Sequence, residues 1–242
     1  MIPSNYHTHT DFCDGSDSPE DIVLEAVRLG CPEIGFSGHS YTAFDESWCM
    51  SKQGTAEYKL CVNRLKEKYA GQIKILLGVE QDYFSNEPCD GYDYVIGSVH
   101  YVKKDGKYLP VDESREIQRA IVKEYYGGDF YAFAEDYFAL VGDIWNKTGC
   151  DIVGHFDLIE KFNESVELFD NTHPRYRAAA DSALDKLLKT PAAFEINYGA
   201  VARGLRSSPY PDKRILERLK GAGARLIKTS DCHDKRQLLF GL

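Results

Sequence analysis

The sequence predicts a single α/β domain in which seven parallel strands close into a barrel. Three observations carry that prediction. Strand-like segments alternate with helices or long crossovers along the whole chain, a rhythm that builds parallel sheets through right-handed connections. Six of the seven histidines fall at or just beyond the C-terminal end of one of those strands. An open sheet offers one crevice for ligands, whereas a closed barrel gathers residues from many strand ends on one rim.

The elements follow in order. Asn5 to Thr10 reads as a short first strand with a loaded end. Ser18-Pro19-Glu20-Asp21 is a helix start, with Ser18 as cap and Asp21 placed for a capping box. That helix runs through Ile22, Val23, Ala26 and Leu29 and stops at Gly30. Glu33–Phe36 is the second strand. A helix from about Gly54 to Tyr69 carries Tyr58, Cys61, Leu65 and Tyr69 at helical spacing. Ile73–Val79 and Tyr92–Ser98 are the third and fourth strands. Phe130–Trp145 reads as helix, Asp151–Gly154 as strand, and Pro174 to about Lys189 as helix. Ala193–Asn197 is the sixth strand, Pro211 opens a helix closed by Gly221 and Gly223, and Arg225–Thr229 is the last strand.

No internal repeat, low-complexity stretch or linker divides the 242 residues, so one domain over 1–242 is expected. The segment at about 101–128 is the candidate lid, with Lys103-Lys104-Asp105-Gly106 as a hairpin tip followed by a mobile stretch. A closed barrel would want a helix to cover its last strand. The chain instead ends at Phe240-Gly241-Leu242, so a missing C-terminal tail is expected.

Composition narrows the function. Lys and Arg number 29 against 38 Asp and Glu, a formal charge of −9 that argues against long nucleic acid as a partner. An enzyme gripping a small phosphate with one or two basic residues is still compatible. No apolar run approaches a membrane span, and Met-Ile-Pro-Ser-Asn-Tyr-His has no signal-peptide pattern. Seven scattered cysteines without a Cys-x-x-Cys pair read as reduced thiols in a cytoplasmic protein. No motif specifies an oligomeric state.

The strand ends carry the chemistry. His7 and His9 form His-x-His, and residues i and i+2 of a strand point to one face, so both imidazoles can reach one ion. His39 follows the second strand, Glu80 ends the third, His100 the fourth, His155 the fifth, and Asp231 and His233 the seventh. Asp14, in Phe12-Cys13-Asp14-Gly15, is a ninth candidate, with Asp17 as its rival. One histidine after a strand is an ordinary turn residue; six in register, joined by Glu80 and Asp231, point to metal. Imidazoles with carboxylates suit zinc, manganese or iron. Nine ligands are too many for one ion and suit two or three. Cys13 and Cys232 flank ligands and read as small packing residues.

The segments His7-Thr8-His9-Thr10, Phe12-Cys13-Asp14-Gly15, Gly38-His39-Ser40, Gly78-Val79-Glu80, Gly97-Ser98-Val99-His100-Tyr101, Gly154-His155-Phe156-Asp157 and Ser230-Asp231-Cys232-His233 resemble the PHP (polymerase and histidinol phosphatase) family, and within it the monofunctional histidinol-phosphate phosphatases. The resemblance implies a distorted (β/α)7 TIM-like barrel of PHP type holding up to three metals. It implies that His7, His9, Glu80 and Asp231 surround the first ion. It assigns Glu80, His100 and His155 to the second, and Asp14, His39 and His233 to the third. The implied activity is hydrolysis of L-histidinol phosphate in histidine biosynthesis. Two other readings stay open at this level: a phosphoesterase acting on a nucleotide or short oligonucleotide, and a non-catalytic metal-binding regulatory barrel.

A metal cluster can lower the pKa of water, hold phosphoryl oxygens and neutralise a leaving alkoxide. No Gly-x-Ser-x-Gly elbow or Cys-x5-Arg loop is present, so no side-chain nucleophile is expected. An arginine fork best grips the phosphate. In the loop Tyr198–Arg206, Arg203 is the first candidate and Arg206 the second, and the resemblance places a phosphate-binding arginine near Arg203. In the loop after His155, related enzymes carry a basic residue; here Glu160 and Lys161 stand where an arginine would be expected, and Lys161 supplies charge without the fork. Asp157 is a candidate ligand orienter or acid toward the leaving oxygen, counted with Arg203 and His233 as catalytic. Asn197 is a candidate donor to substrate and Tyr101 a candidate pocket wall. Asp82, two residues beyond Glu80, carries little weight.

Overall fold

The computed structural model describes residues 2–242. In chain order its elements are α1 (Pro19–Leu29), β1 (Glu33–Phe36), α2 (Lys52–Lys68), β2 (Lys74–Asp82), β3 (Tyr94–Ser98), β4 (Tyr101–Lys104), β5 (Lys107–Pro110), α3 (Arg115–Tyr125), α4 (Phe130–Val141), α5 (Ile144–Thr148), β6 (Ile152–Val153), α6 (Pro174–Leu187), β7 (Ala193–Asn197), α7 (Gly199–Ala202), α8 (Lys213–Gly221) and β8 (Leu226–Thr229).

Six strands pair in parallel in the order β1-β2-β3-β6-β7-β8. The N-terminal segment fills the remaining gap. Asn5 bridges Ile34 of β1, and Thr8 bridges Cys232 just beyond β8. The backbone N–H of Gly35 donates to the Asn5 carbonyl at 2.8 Å, and that of Cys232 to the His7 carbonyl at 3.0 Å. This segment is the seventh strand, and the fold is the distorted (β/α)7 barrel. It is more irregular than the continuous strand expected over Asn5–Thr10. The chain turns at Thr10, whose carbonyl accepts from both Cys13 and Gly15.

Local signals set most boundaries. Ser18 Oγ accepts from the Asp21 N–H and donates to the Asp21 carboxylate, so the expected capping box opens α1. Ser51 caps α2, which therefore starts two residues before Gly54. Asp212 rather than Pro211 caps α8. The expected helix Phe130–Trp145 breaks at Gly142 into α4 and α5. The hairpin after His100 is β4–β5, as its tip sequence suggested. The stretch beyond it, expected to be mobile, is helix α3: Ser114 caps it, and it buries Gln118, Ile121 and Val122 on one face.

The helices pack apolar stripes on the barrel, with Ile22, Val23 and Ala26 of α1 and Tyr58, Val62 and Leu65 of α2 buried. Inside the barrel, the Tyr94 hydroxyl donates within reach of the Tyr6 carbonyl (2.5 Å) and the Phe36 carbonyl (3.0 Å). That ring occupies the space above Gly78, where a Cβ would sit 2.3 Å from the tyrosine Cζ. The opposite, C-terminal ends of the strands are left for polar side chains.

Candidate metal centre

Glu80, 1% exposed near the end of β2, stands at the middle of the rim. Its Oε2 lies 3.1 Å from His7 Nε2, 3.5 Å from His9 Nε2 and 2.9 Å from His39 Nδ1. Its Oε1 lies 2.9 Å from His155 Nε2 and 3.4 Å from His100 Nε2, and accepts from Ser98 Oγ at 2.6 Å. Asp231 Oδ1 closes the group, 3.3 Å from His9 Nε2 and 3.7 Å from His7 Nε2. Asp231 takes a left-handed backbone (φ 48°), which turns its carboxylate toward the histidines. Gly199 leaves room for it: a Cβ there would lie 2.5 Å from Asp231 Oδ2.

Toward the outside, Asp14 Oδ1 is 3.5 Å from His9 Nδ1 and 3.6 Å from His39 Nε2, and Asp14 Oδ2 is 3.2 Å from His233 Nε2. His39 thus faces both Glu80 and Asp14. Asp17, the rival of Asp14, instead accepts from the Lys235 backbone. The His100 Nδ1 faces Asp82 Oδ2 at 3.2 Å, so Asp82 supports a rim histidine although the sequence argument gave it little weight. Glu195 of β7, which the sequence argument passed over, lies 2.5 Å from His7 Nδ1.

The donor set fits divalent metal. Glu80 Oε2, His7 Nε2, His9 Nε2 and His39 Nδ1 are buried with no hydrogen-bond partner. Orphaned polar atoms in a low-dielectric site are destabilising unless something bridges them. Ligands held tetrahedrally at metal–ligand bond length stand about 3.4 Å apart, close to the separations here. One ligand atom each from His9, Asp14, His39 and His233 falls within 4.8 Å of the others, and the same holds for His7, His9 and Glu80 and for His39, Glu80 and His100.

Without metal the acids and imidazoles share protons. Burial alone would strip His7 of its proton, but Glu195, Glu80 and Asp231 outweigh it and hold its pKa well above the usual value. His39 opposes burial through Glu80 and Asp14 and stands at about 9. His100 is likewise raised by Glu80 and Asp82 against burial. His9 falls to about 3, through burial and its neighbours His233 and His39. Glu80 stays far below the carboxylate range despite burial, because His7, His39 and His100 surround it. Cys13 Sγ is 3.7 Å from His9 Nδ1, and burial beside Asp14 lifts its pKa to about 12 in the metal-free protein. Cys232 is buried with its Sγ on the Asp234 carbonyl.

A cavity of about 450 Å³ opens over these ligands. His39, Glu80, His100, His155, Asp231 and His233 line its floor, and Arg203 and Lys161 line its sides. Arg203 donates to Asp231 Oδ2 (3.2 Å) and reaches His233 Nδ1 (2.9 Å). Lys161 pairs with Asp112 at 2.8 Å. Tyr101 is a wall residue; its hydroxyl donates to Asp45 and accepts from Trp48 Nε1. Trp48 sets its ring edge-to-face with His39 at 4.5 Å. Trp48, Asp45, Asp112 and Glu113 come from loops and carry no motif, so only the fold reveals them.

Three of the catalytic and substrate-binding candidates lie outside the cavity. Asn197 is fully buried, donating to Glu195 Oε2 and accepting from the Gly199 N–H, so its amide is a strut of β7 and not a substrate donor. Arg206 turns away, donating to the Glu160 carbonyl at 3.0 Å and lying 3.5 Å from Glu160 Oε2. Asp157 is fully buried, with Oδ2 accepting from the Asp212 N–H. Burial, with Glu160 adding to it, pushes the Asp157 pKa well up. None of the three side chains lines the cavity.

The comparisons with known proteins agree with this architecture. A protein of Schizosaccharomyces pombe named "Probable histidinol-phosphatase" is 28% identical over 260 residues, covering 98% of this chain and 82% of its own. A crystal structure from Listeria monocytogenes superposes with a TM-score of 0.85 at 24% identity, over 99% of this chain and 98% of that one. The crystal structure of histidinol phosphate phosphatase from Lactococcus lactis, complexed with zinc, L-histidinol and phosphate, superposes with a TM-score of 0.71 at 20% identity, over 97% and 87%. Residues 5–199 match the PHP domain, and this chain belongs to that family.

Proposed function

We propose that this chain is a metal-dependent phosphomonoesterase that converts L-histidinol phosphate to L-histidinol and phosphate in histidine biosynthesis. The observation that carries the metal-hydrolase reading is the convergence of orphaned Glu80, His7, His9 and His39 atoms beneath a cavity that also holds Arg203. The substrate is supported by the names of the relatives. We assign the first ion to His7, His9, Glu80 and Asp231, the second to Glu80, His100 and His155, and the third to Asp14, His39 and His233. Zinc, manganese and iron all suit this set. When bound, such ions supply a water ionised near neutral pH and positive charge for phosphoryl oxygens.

The chain's own residues do the rest. Arg203 lines the cavity, and its guanidinium matches a phosphoryl oxygen pair once it exchanges part of its contact with Asp231 and His233. Lys161, paired with Asp112, adds a second positive charge to the cavity lining. Trp48 and Tyr101 offer aromatic faces to the alcohol portion of the substrate, and Asp45, Asp112 and Glu113 favour a cationic one over an anionic sugar or nucleotide. The hairpin β4–β5 supplies Tyr101 and Pro110 and serves as the lid. All seven cysteines are free, which suits a reducing cytoplasm. Among the described residues no helix is long and apolar enough to cross a membrane.

The test is a phosphate-release panel on protein loaded with zinc, manganese or iron, with histidinol phosphate beside nucleotides and sugar phosphates. Histidinol phosphate should be turned over fastest, and chelator should abolish release. Faster release from a nucleotide would reassign the substrate; no release from any ester would favour a regulatory barrel.

A further inference from the structure

We propose that Glu195 is a positioning residue for this centre: its carboxylate fixes the His7 imidazole in the tautomer that turns a bare Nε2 toward Glu80 and Asp231. The inference rests on the reading of His7 as a metal ligand and adds a residue that the ligand set does not contain.

Glu195 is 1% exposed in the middle of β7, a place where an acid is unfavourable unless every lone pair is used. All are used. Oε2 accepts from the His155 backbone N–H at 2.8 Å and from Asn197 Nδ2 at 2.9 Å. Oε1 accepts from Thr229 Oγ1 at 2.6 Å and faces His7 Nδ1 at 2.5 Å. Three donors, one just past β6 and one each on β7 and β8, therefore hold the carboxylate still, whatever His7 does. The fourth partner of such an acceptor is an N–H, so Nδ1 carries the ring proton. Metal binding requires the imidazole to be neutral, and in that form it has one N–H and one lone pair. The lone pair then sits on Nε2, which lies 3.1 Å from Glu80 Oε2 and 3.7 Å from Asp231 Oδ1 without a hydrogen bond to either. A carboxylate behind a ligand imidazole also raises its basicity toward the ion. The same carboxylate anchors the backbone of His155, so one side chain registers two ligand segments. Asp82 stands behind His100 Nδ1 in the same way at 3.2 Å, whereas His155 has no partner on Nδ1.

The test uses the full chain, labelled with 15N-histidine and loaded with zinc. Long-range proton–nitrogen correlation reads the tautomer of each ring, with His7 assigned by its loss in His7→Gln. The expected result is a strongly deshielded proton on His7 Nδ1 and a metal-shifted Nε2. In Glu195→Gln that proton should move upfield, and chelator competition should show zinc held about 10–100-fold more weakly. Thr229→Val removes a hydrogen bond to the same Oε1 without touching His7, and should leave zinc affinity unchanged. Equal loss in both variants would mean that Glu195 only pins strands together, and overturns the proposal. So does a wild-type His7 protonated on Nε2, a measurement that stands even if Glu195→Gln does not fold. Wild-type protein that takes up no zinc overturns the metal centre itself.

Discussion

Arg203 and Asp231 face each other across the cavity floor, with the arginine Nη2 donating to Asp231 Oδ2 at 3.2 Å while Asp231 Oδ1 is turned to His9. The arginine therefore neutralises one edge of the Asp231 carboxylate while lining the cavity. Arg203→Ala should lower kcat/KM by about tenfold or more, from a charge-assisted hydrogen bond of roughly 1.5–3 kcal/mol. Arg203→Lys should recover part of it, since charge returns without the fork. Because Arg203 also touches His233, the loss must be read at saturating metal, where it should persist. Full activity in the saturated alanine variant would remove Arg203 from the phosphate.

Loading metal-free protein should release protons. His7, His39 and His100 are held protonated by the surrounding acids, whereas His9 is already neutral. Zinc titration by calorimetry at pH 7, in buffers of different ionisation heat, should show net release that declines as pH passes about 9, where His39 loses its own proton. The same raised pKa values set the stability of the metal-free form. Their contribution is complete below the unfolded histidine value near 6.5 and fades as pH rises through about 9. Metal-free protein should therefore melt lower at pH 9.5 than at pH 6, while the loaded protein resists the change. An apo melting temperature rising over that range would contradict the charge-sharing picture.

How far the sequence reaches is visible in individual residues. The rim histidines were legible because a strand end is a one-dimensional feature, and a series of them cannot be an accident of turns. Asp82 was legible in principle: it is two residues beyond Glu80 on a strand, hence on the same face. Helix α3 had its signal in Ile117, Ile121 and Val122 at helical spacing. Glu195 is a single acid in an apolar strand, and nothing local says whether it faces into the barrel. Arg203 and Arg206 occupy one loop with the same chemistry. Only the fold separates them, because Glu160, buried behind the loop, draws Arg206 away.

Gly78→Ala should destabilise the barrel without changing the site. The new methyl would meet the Tyr94 ring 2.3 Å away, and that ring is pinned by its hydroxyl to Tyr6 and Phe36. Overpacking of this kind costs about 1–3 kcal/mol. Tyr94→Leu should relieve part of the clash when added to Gly78→Ala, so the double variant should be more stable than additivity predicts. Additive melting shifts would mean the ring is free to move.

Arg206→Ala should be a stability variant where Arg203→Ala is an activity variant. The Arg206 side chain is 2% exposed and is the cation facing Glu160, near Asp157. Removing one partner of a buried ion pair costs about 3–5 kcal/mol, because the other charge is left behind. Asp157 and Glu160 already have raised pKa values, chiefly through burial. A carboxyl whose folded pKa is raised favours the folded state at low pH and loses that advantage as pH climbs. With Arg206 gone both acids should shift further, so the deficit in melting temperature relative to wild type should be smaller at pH 5 than at pH 8. The metal load should be unchanged, and kcat at a temperature where both proteins are folded should stay within about threefold of wild type, since the side chain lies outside the cavity. A fall in kcat matching that of Arg203→Ala, with stability intact, would return Arg206 to the phosphate site.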